Sequence, residues 1–166
     1  MLFAVDTNVL LDQALDDADV LDALGTIRLR VKAARFVVTP TVIEELAWQA
    51  GQSGEKQRVA ILALENLLSW GYEPLNLIPV GRGVVEAIGL KMRLKGIIDE
   101  AEVHDSEIIA EAALIGCNLL LTSDAHLLNA QEGGALRGFL KECDVEGDDL
   151  VIGSPRIIVE KFFQRR

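Results

Sequence analysis

Carboxylates stand at four places where the sequence could do chemistry. Asp6-Thr7-Asn8 follows the apolar run 2–5, and Thr122-Ser123-Asp124 follows the apolar run that starts at residue 118. Glu44 and Glu45 lie inside a helix-like stretch that opens at Pro40, and Asp105 lies near the start of another. An acid after a strand also serves as a helix N-cap, accepting from free backbone N–H groups, and that reading stays open for Asp6 and Asp124. Asp105 makes a sharper case. The apolar positions of its helix are Ile108, Ile109, Ala112, Ala113 and Ile115. Asp105 precedes the first two by three and four residues, so it falls on the inward stripe. Glu107 aligns instead with Glu111, on a face expected to be solvated. A buried carboxylate is costly without a partner, which can be a cation, a hydrogen-bond network or the helix N-terminus itself.

Acids gathered in this way, with no cluster of Arg or Lys beside them in sequence, would repel one another unless cations lay between them. Oxygen-only ligands suit Mg²⁺ or Mn²⁺ and not Zn²⁺, which prefers Cys and His. Two such ions about 4 Å apart activate a water and stabilise the leaving oxygen of an in-line phosphodiester hydrolysis, so the expected chemistry is that of a nuclease. The two histidines, His104 and His126, form neither an HExxH motif nor a paired Cys/His spacing, and are read as local hydrogen-bonding or substrate-facing groups. GxSxG, GxxxxGK[ST] and GxGxxG are absent, which removes serine-hydrolase, P-loop and dinucleotide readings. An aspartyl-phosphate phosphatase commonly carries Asp-x-Asp at its first strand, and here Asn8 replaces the second acid.

The elements that must position these acids alternate. Residues 2–5 read as a strand and 9–24 as a helix; 35–39 as a strand and the stretch from Pro40 to Ala50 as a helix with Pro at its first position. Residues 51–54 are a polar break and 55–70 a further helix, after which 75–80 is expected to be extended. Helices follow at 81–95 and 103–116, separated by the acidic connector 96–102. Residues 118–122 have the length and apolarity of a central parallel strand. A loop-rich stretch through Gly133-Gly134 and 146–149 leads to a last strand at 150–152. Ser154-Pro155 then opens a closing helix, 156–164. Strands alternating with helices predict an α/β fold: a three-layer α/β/α sandwich, Rossmann-like, around a mostly parallel sheet. Working residues of such a sheet collect at the carboxyl ends of its strands.

Composition agrees with one globular domain over residues 1–166. Half the residues are apolar, 16 basic side chains face 26 acidic ones for a formal charge of −10, and mean hydropathy is +0.27. Such a chain is too apolar for disorder. No apolar run reaches the roughly 20 residues that a spanning helix needs, and the first residues carry an acid where a secretory leader is basic, so a cytoplasmic protein is expected. Cys117 and Cys143 are read as reduced thiols. The acidic balance points away from nucleic acid at first sight, although bound divalent cations cancel that charge where phosphate would meet it.

At this point the sequence resembles the PIN domain family, metal-dependent ribonucleases that include the VapC-type toxins. The resemblance rests on Val5-Asp6-Thr7-Asn8-Val9-Leu10-Leu11-Asp12, on Thr39-Pro40-Thr41-Val42-Ile43-Glu44-Glu45-Leu46, on the stretch from His104-Asp105 to Ala112-Ala113, and on Leu120-Leu121-Thr122-Ser123-Asp124. Gly153-Ser154-Pro155 is similar to the family's ending. Carried over, it makes Asp6, Asp105 and Asp124 metal ligands, Asn8 and Thr122 the polar residues that orient them, and Glu45, directly before Leu46, the helix acid in preference to Glu44. It further implies Mg²⁺ or Mn²⁺ as cofactor, RNA as substrate, frequent homodimers and, for a toxin, an antitoxin protein as partner. The alternatives in view are a PIN-like module that binds RNA or protein without cleaving, and a metal-dependent phosphatase. Greater length, through residues 55–70 and the loops around Gly133-Gly134 and Asp148-Asp149, sets the chain apart from the small toxins. Arg28, Arg30, Lys32 and Arg35, with Lys91, Arg93 and Lys95, are read as basic flanks for an RNA strand.

Overall fold

The structure, a computed structural model, describes residues 1–162. Five parallel strands form one sheet: β1 (Leu2–Val5), β2 (Arg35–Val38), β3 (Tyr72–Pro74), β4 (Leu119–Leu121) and β5 (Val151–Gly153), in the order β3-β2-β1-β4-β5. Phe3, Ala4 and Val5 are all buried although successive side chains point to opposite faces, so helices cover both faces of the sheet. Register pairs Ala4 with Val37 on one side and with Leu120 on the other. The chain leaves β1 toward β2 and leaves β4 toward β5, in opposite directions. A crevice therefore opens outside the carboxyl ends of β1 and β4, where ligands bind in open sheets of this kind.

Most elements form where the sequence places them, and the departures have local causes. The helix expected over 9–24 is two helices, α1 (Thr7–Ala14) and α2 (Ala18–Arg30). Asp16 breaks the run with a φ of 56°, and Asp17 caps α2 by accepting from Val20 N at 3.0 Å. Two further helices, α3 (Pro40–Ala50) and α4 (Glu55–Asn66), follow β2, and α4 ends one turn earlier than expected. The extended segment expected over 75–80 is displaced: β3 precedes it, and α5 (Pro79–Leu94) takes Pro79 into its first turn.

After α6 (Val103–Leu114), the stretch expected to be loop-rich contains two short helices, α7 (Ala125–Glu132) and α8 (Leu136–Glu142). Their buried residues, Leu127 and Ala130 on one and Leu136, Phe139 and Leu140 on the other, dock them on the core, so tertiary packing overrides the glycine-rich punctuation. α9 (Pro155–Phe162) opens as expected, with Ser154 Oγ accepting from Ile157 N at 3.2 Å. The expected end of that helix, residues 163–164, lies outside the described residues. Cys117 and Cys143 are free thiols. No helix among the described residues is long and apolar enough to cross a membrane.

Candidate functional site

Asp6 and Asp124 come from the two strands that flank the crevice. Asp6 follows β1 directly, its N–H donating to Leu121 O at 2.9 Å, so its backbone continues the sheet for one residue past the strand. It also caps α1, accepting from Thr7 N at 2.7 Å through Oδ1. Its other oxygen, Oδ2, accepts from the Thr122 hydroxyl at 2.7 Å. The same hydroxyl oxygen accepts from Asp124 N at 2.9 Å, so Thr122 ties the two strand ends together. Asp124 caps α7 by accepting from His126 N at 2.7 Å, and its Oδ2 accepts from the Asn8 amide at 3.1 Å. In both acids one carboxylate oxygen satisfies the helix and the other is held by a side chain, Thr122 for Asp6 and Asn8 for Asp124.

Helices α3 and α6 add the remaining acids. Glu45 accepts from the Thr7 hydroxyl and stands 3.4 Å from His104 Nδ1. Glu44, one residue earlier, lines the same cavity but pairs with Arg82 on α5. The roughly 100° between adjacent helix positions is enough to send the two acids to different neighbours. Asp105 is half-buried in the first turn of α6, with the charges of Asp124, Glu102 and Glu45 around it. Glu102, just before that helix, and His126, which faces it at 3.7 Å, complete the rim.

Burial and crowding show in the acidities. Burial raises the Asp6 carboxyl to about 7, and Glu45 and Asp105 push it the same way against the hydrogen bonds from Thr122 and Thr7. Asp105 is raised to about 6, first by burial and then by Asp124, Glu102 and Glu45. No Lys or Arg pairs with Asp6, Glu45, Asp105 or Asp124 among the described residues. Oxygen-only donors, like-charged, partly desolvated and without a cationic side chain are the donor set that a hard divalent cation fits. As the side chains are set here, no three of the described His, Cys, Asp and Glu groups stand close enough to share one ion. Asp6, Glu45 and Asp124 are each turned to hydrogen-bond donors of their own, as repulsion between like charges favours.

Some participants were not legible in the sequence. Thr7 and Glu102 escaped notice, although a hydroxyl directly after a strand-end acid and an acid directly before a helix that carries another were available signals. Glu111, expected on a solvated face, is buried. Its carboxylate accepts from Thr41 N at 3.1 Å and from Thr41 Oγ1 at 3.0 Å, and so caps the helix that carries Glu45. The α6 stripe is wide because α5 packs on one side of it and α3 on another.

The basic flank expected from Arg28, Arg30, Lys32 and Arg35 is not at the crevice. Arg35 begins β2 and Arg30 ends α2, so this group lies at the amino ends of the strands, the opposite edge of the sheet. Arg35 pairs there with Glu73, and the Arg28 guanidinium lies over the rings of Phe36 and Tyr72. Of the second group, Lys95 pairs with Glu142 and Arg93 donates to Ser106.

A family model, the PIN domain, matches residues 3–133. Among solved structures, the chain is similar in fold to a chain of VapBC2 from Rickettsia felis, crystallised bound to a DNA fragment from their promoter. The TM-score is 0.61 at 15% identity, and the likeness covers 93% of this chain and 98% of that one. No curated protein sequence matches significantly.

Proposed function

From the premise that the chain belongs to the PIN domain family, we propose that it is a metal-dependent endoribonuclease whose site is the crevice beyond β1 and β4. The observation that carries the reading is the convergence of Asp6, Glu45, Asp105 and Asp124 from four separate elements, with Asp6 and Asp105 raised toward neutral pH. In this reading Asp6, Asp105 and Asp124 hold Mg²⁺ or Mn²⁺ and Glu45 takes the fourth acidic position. A divalent ion bound there activates water and offsets the charge that develops on the scissile phosphate.

The chain's own groups supply orientation. Thr122 fixes Asp6 and Asp124 relative to each other, Asn8 holds the outer oxygen of Asp124, and Thr7 holds Glu45. These hydrogen bonds limit how far the carboxylates must turn, and a cation would draw them together from the separate positions they hold without it. In this reading His104, exposed beside Glu45, meets a phosphate or ribose oxygen of the substrate. The family also supports an RNA substrate in preference to a small phosphate ester. An antitoxin-like protein partner belongs to the same proposal, supported by the fold shared with a chain of VapBC2.

Short single-stranded RNA and p-nitrophenyl phosphate, each with Mn²⁺, Mg²⁺ or EDTA, separate the readings. Cleavage of RNA alone, dependent on metal, is the expected result. Turnover of the nitrophenyl ester alone contradicts the nuclease reading and favours a phosphatase. RNA bound but never cut contradicts it in favour of a binding module.

A further inference from the structure

Trp48 lies one helical turn beyond Glu45, on the same side of α3, and is 67% exposed. An indole so placed presents a broad, flat apolar face with a polar edge beside the acids. It forms part of the wall of two adjoining cavities. One, of about 600 Å³, holds Glu45 and His104 of the candidate site. The other, of about 490 Å³, lies between α1, α3 and α4, starts at Asn8 and is bounded by Leu11, Leu15, Val59, Glu55 and Lys56. Trp48 is therefore the shared wall between the acids and a groove whose opposite side is aliphatic, and Lys56 makes no ion pair among the described residues.

We propose that Trp48 is the stacking platform for a nucleobase next to the scissile phosphate, with Lys56 meeting a backbone phosphate further along the groove. This rests on the nuclease reading above. The charge of the molecule supports a base as the occupant. At a formal charge of −10, with the basic flank at the far edge of the sheet and Arg82 and Lys95 neutralised by Glu44 and Glu142, long-range attraction for a polyanion is weak. Stacking needs no net charge and tolerates any base, since every base has a π-face. Leu11 and Leu15 would cover the other face of the base. Among the described residues Lys56 is the groove's one cation and suits one phosphate, while its neighbour Glu55 is paired with Arg58.

Binding of an adenylate octamer, an abasic octamer of equal length and inorganic tripolyphosphate is to be followed in EDTA by tryptophan fluorescence and by anisotropy of end-labelled strands. The expected result is quenching of wild type by the adenylate octamer and not by the abasic strand or tripolyphosphate. Trp48→Ala should weaken octamer binding by about 5- to 150-fold, from the worth of one base stacked on an aromatic ring, and Trp48→Phe should restore most of it. Trp70→Phe, which removes the other indole, should leave the quenching in place. In the cleavage assay Trp48→Ala should raise KM by a similar factor with kcat changed by less than about threefold, since uniform binding is what is lost. Octamer affinity unchanged by Trp48→Ala overturns the platform, leaves the nuclease reading standing and gives the indole to a protein partner. Trp48-dependent binding without cleavage when Mn²⁺ is restored overturns the nuclease reading alone, and an octamer that wild type does not bind overturns the platform and leaves the nuclease reading to the cleavage assay.

Discussion

Replacing Asp6 by Asn should stabilise the metal-free protein at pH 8 while abolishing its proposed activity. In the folded chain Asp6 is almost fully buried and its carboxyl titrates at about 7. In the unfolded chain it titrates near 4. As pH rises, the unfolded state releases this proton first, so folding stability declines from about pH 4 until the folded carboxyl ionises near 7, and is flat above that. The two pH units between 5 and 7 correspond to a loss of about 3 kcal/mol that Asp6→Asn does not suffer.

Against this, the amide keeps the cap on Thr7 N through its oxygen but cannot accept from the Thr122 hydroxyl, which costs about 1 kcal/mol at every pH. Urea unfolding of both proteins in EDTA at about pH 5 and pH 8 reads the difference directly. The variant should be within about 1 kcal/mol of wild type at pH 5 and more stable by about 2 to 3 kcal/mol at pH 8. Asp105, which titrates in the same window in both proteins, cancels to first order. A stability difference that is the same at both pH values refutes the reasoning, because Asp6 would then ionise in the fold at no special cost.

Other expectations follow from the same geometry. Mn²⁺ affinity measured by calorimetry should rise as pH increases from about 5.5 to 8, with protons released on binding, because a cation must displace protons held by Asp6 near 7 and Asp105 near 6; affinity flat over that range contradicts it. Glu45→Ala should reduce RNA cleavage by two orders of magnitude or more, whereas Glu44→Ala, which breaks an exposed pair with Arg82, should stay within about threefold of wild type. The reverse ranking in initial rates would move the helix acid to Glu44. Glu111→Ala leaves the buried Thr41 N–H and hydroxyl without an acceptor and should cost about 2 to 4 kcal/mol in denaturant unfolding, with Glu111→Gln much milder. Equal losses for the two substitutions would show that the carboxylate charge, not the hydrogen bonds, is what α3 needs.

Elements whose signal was local were legible in the sequence. The apolar runs before Asp6 and Asp124, Pro40 at the start of α3 and Ser154-Pro155 before α9 carry their structural meaning within a few residues, and the structure has each in place. The inward direction of Asp105 was legible for the same reason, since it depends only on helical spacing. What needed the tertiary arrangement was missed. Nothing within reach of Glu111 in sequence shows that α3 presents Thr41 to it across 70 residues. Leu136 and Phe139 read as part of a loop until the core they dock on is known. Arg28 and Arg35 looked like an RNA flank because charge is visible in sequence and sheet polarity is not; only the topology shows them at the edge opposite the acids. Glu44 and Glu45 are distinguished by their neighbours, Arg82 for one and Thr7 with His104 for the other.

The central claim is that Asp6 and Asp105 belong to one metal-dependent site that cuts RNA. Its most direct test is cleavage of a fluorophore-quencher single-stranded RNA by wild type, Asp6→Asn and Asp105→Asn, first in EDTA and then with excess Mn²⁺. The account predicts no cleavage in EDTA, cleavage by wild type when Mn²⁺ is restored, and rates at least about 100-fold lower in both variants, each still folded by circular dichroism. Cleavage that persists in EDTA, or that neither substitution slows, contradicts it.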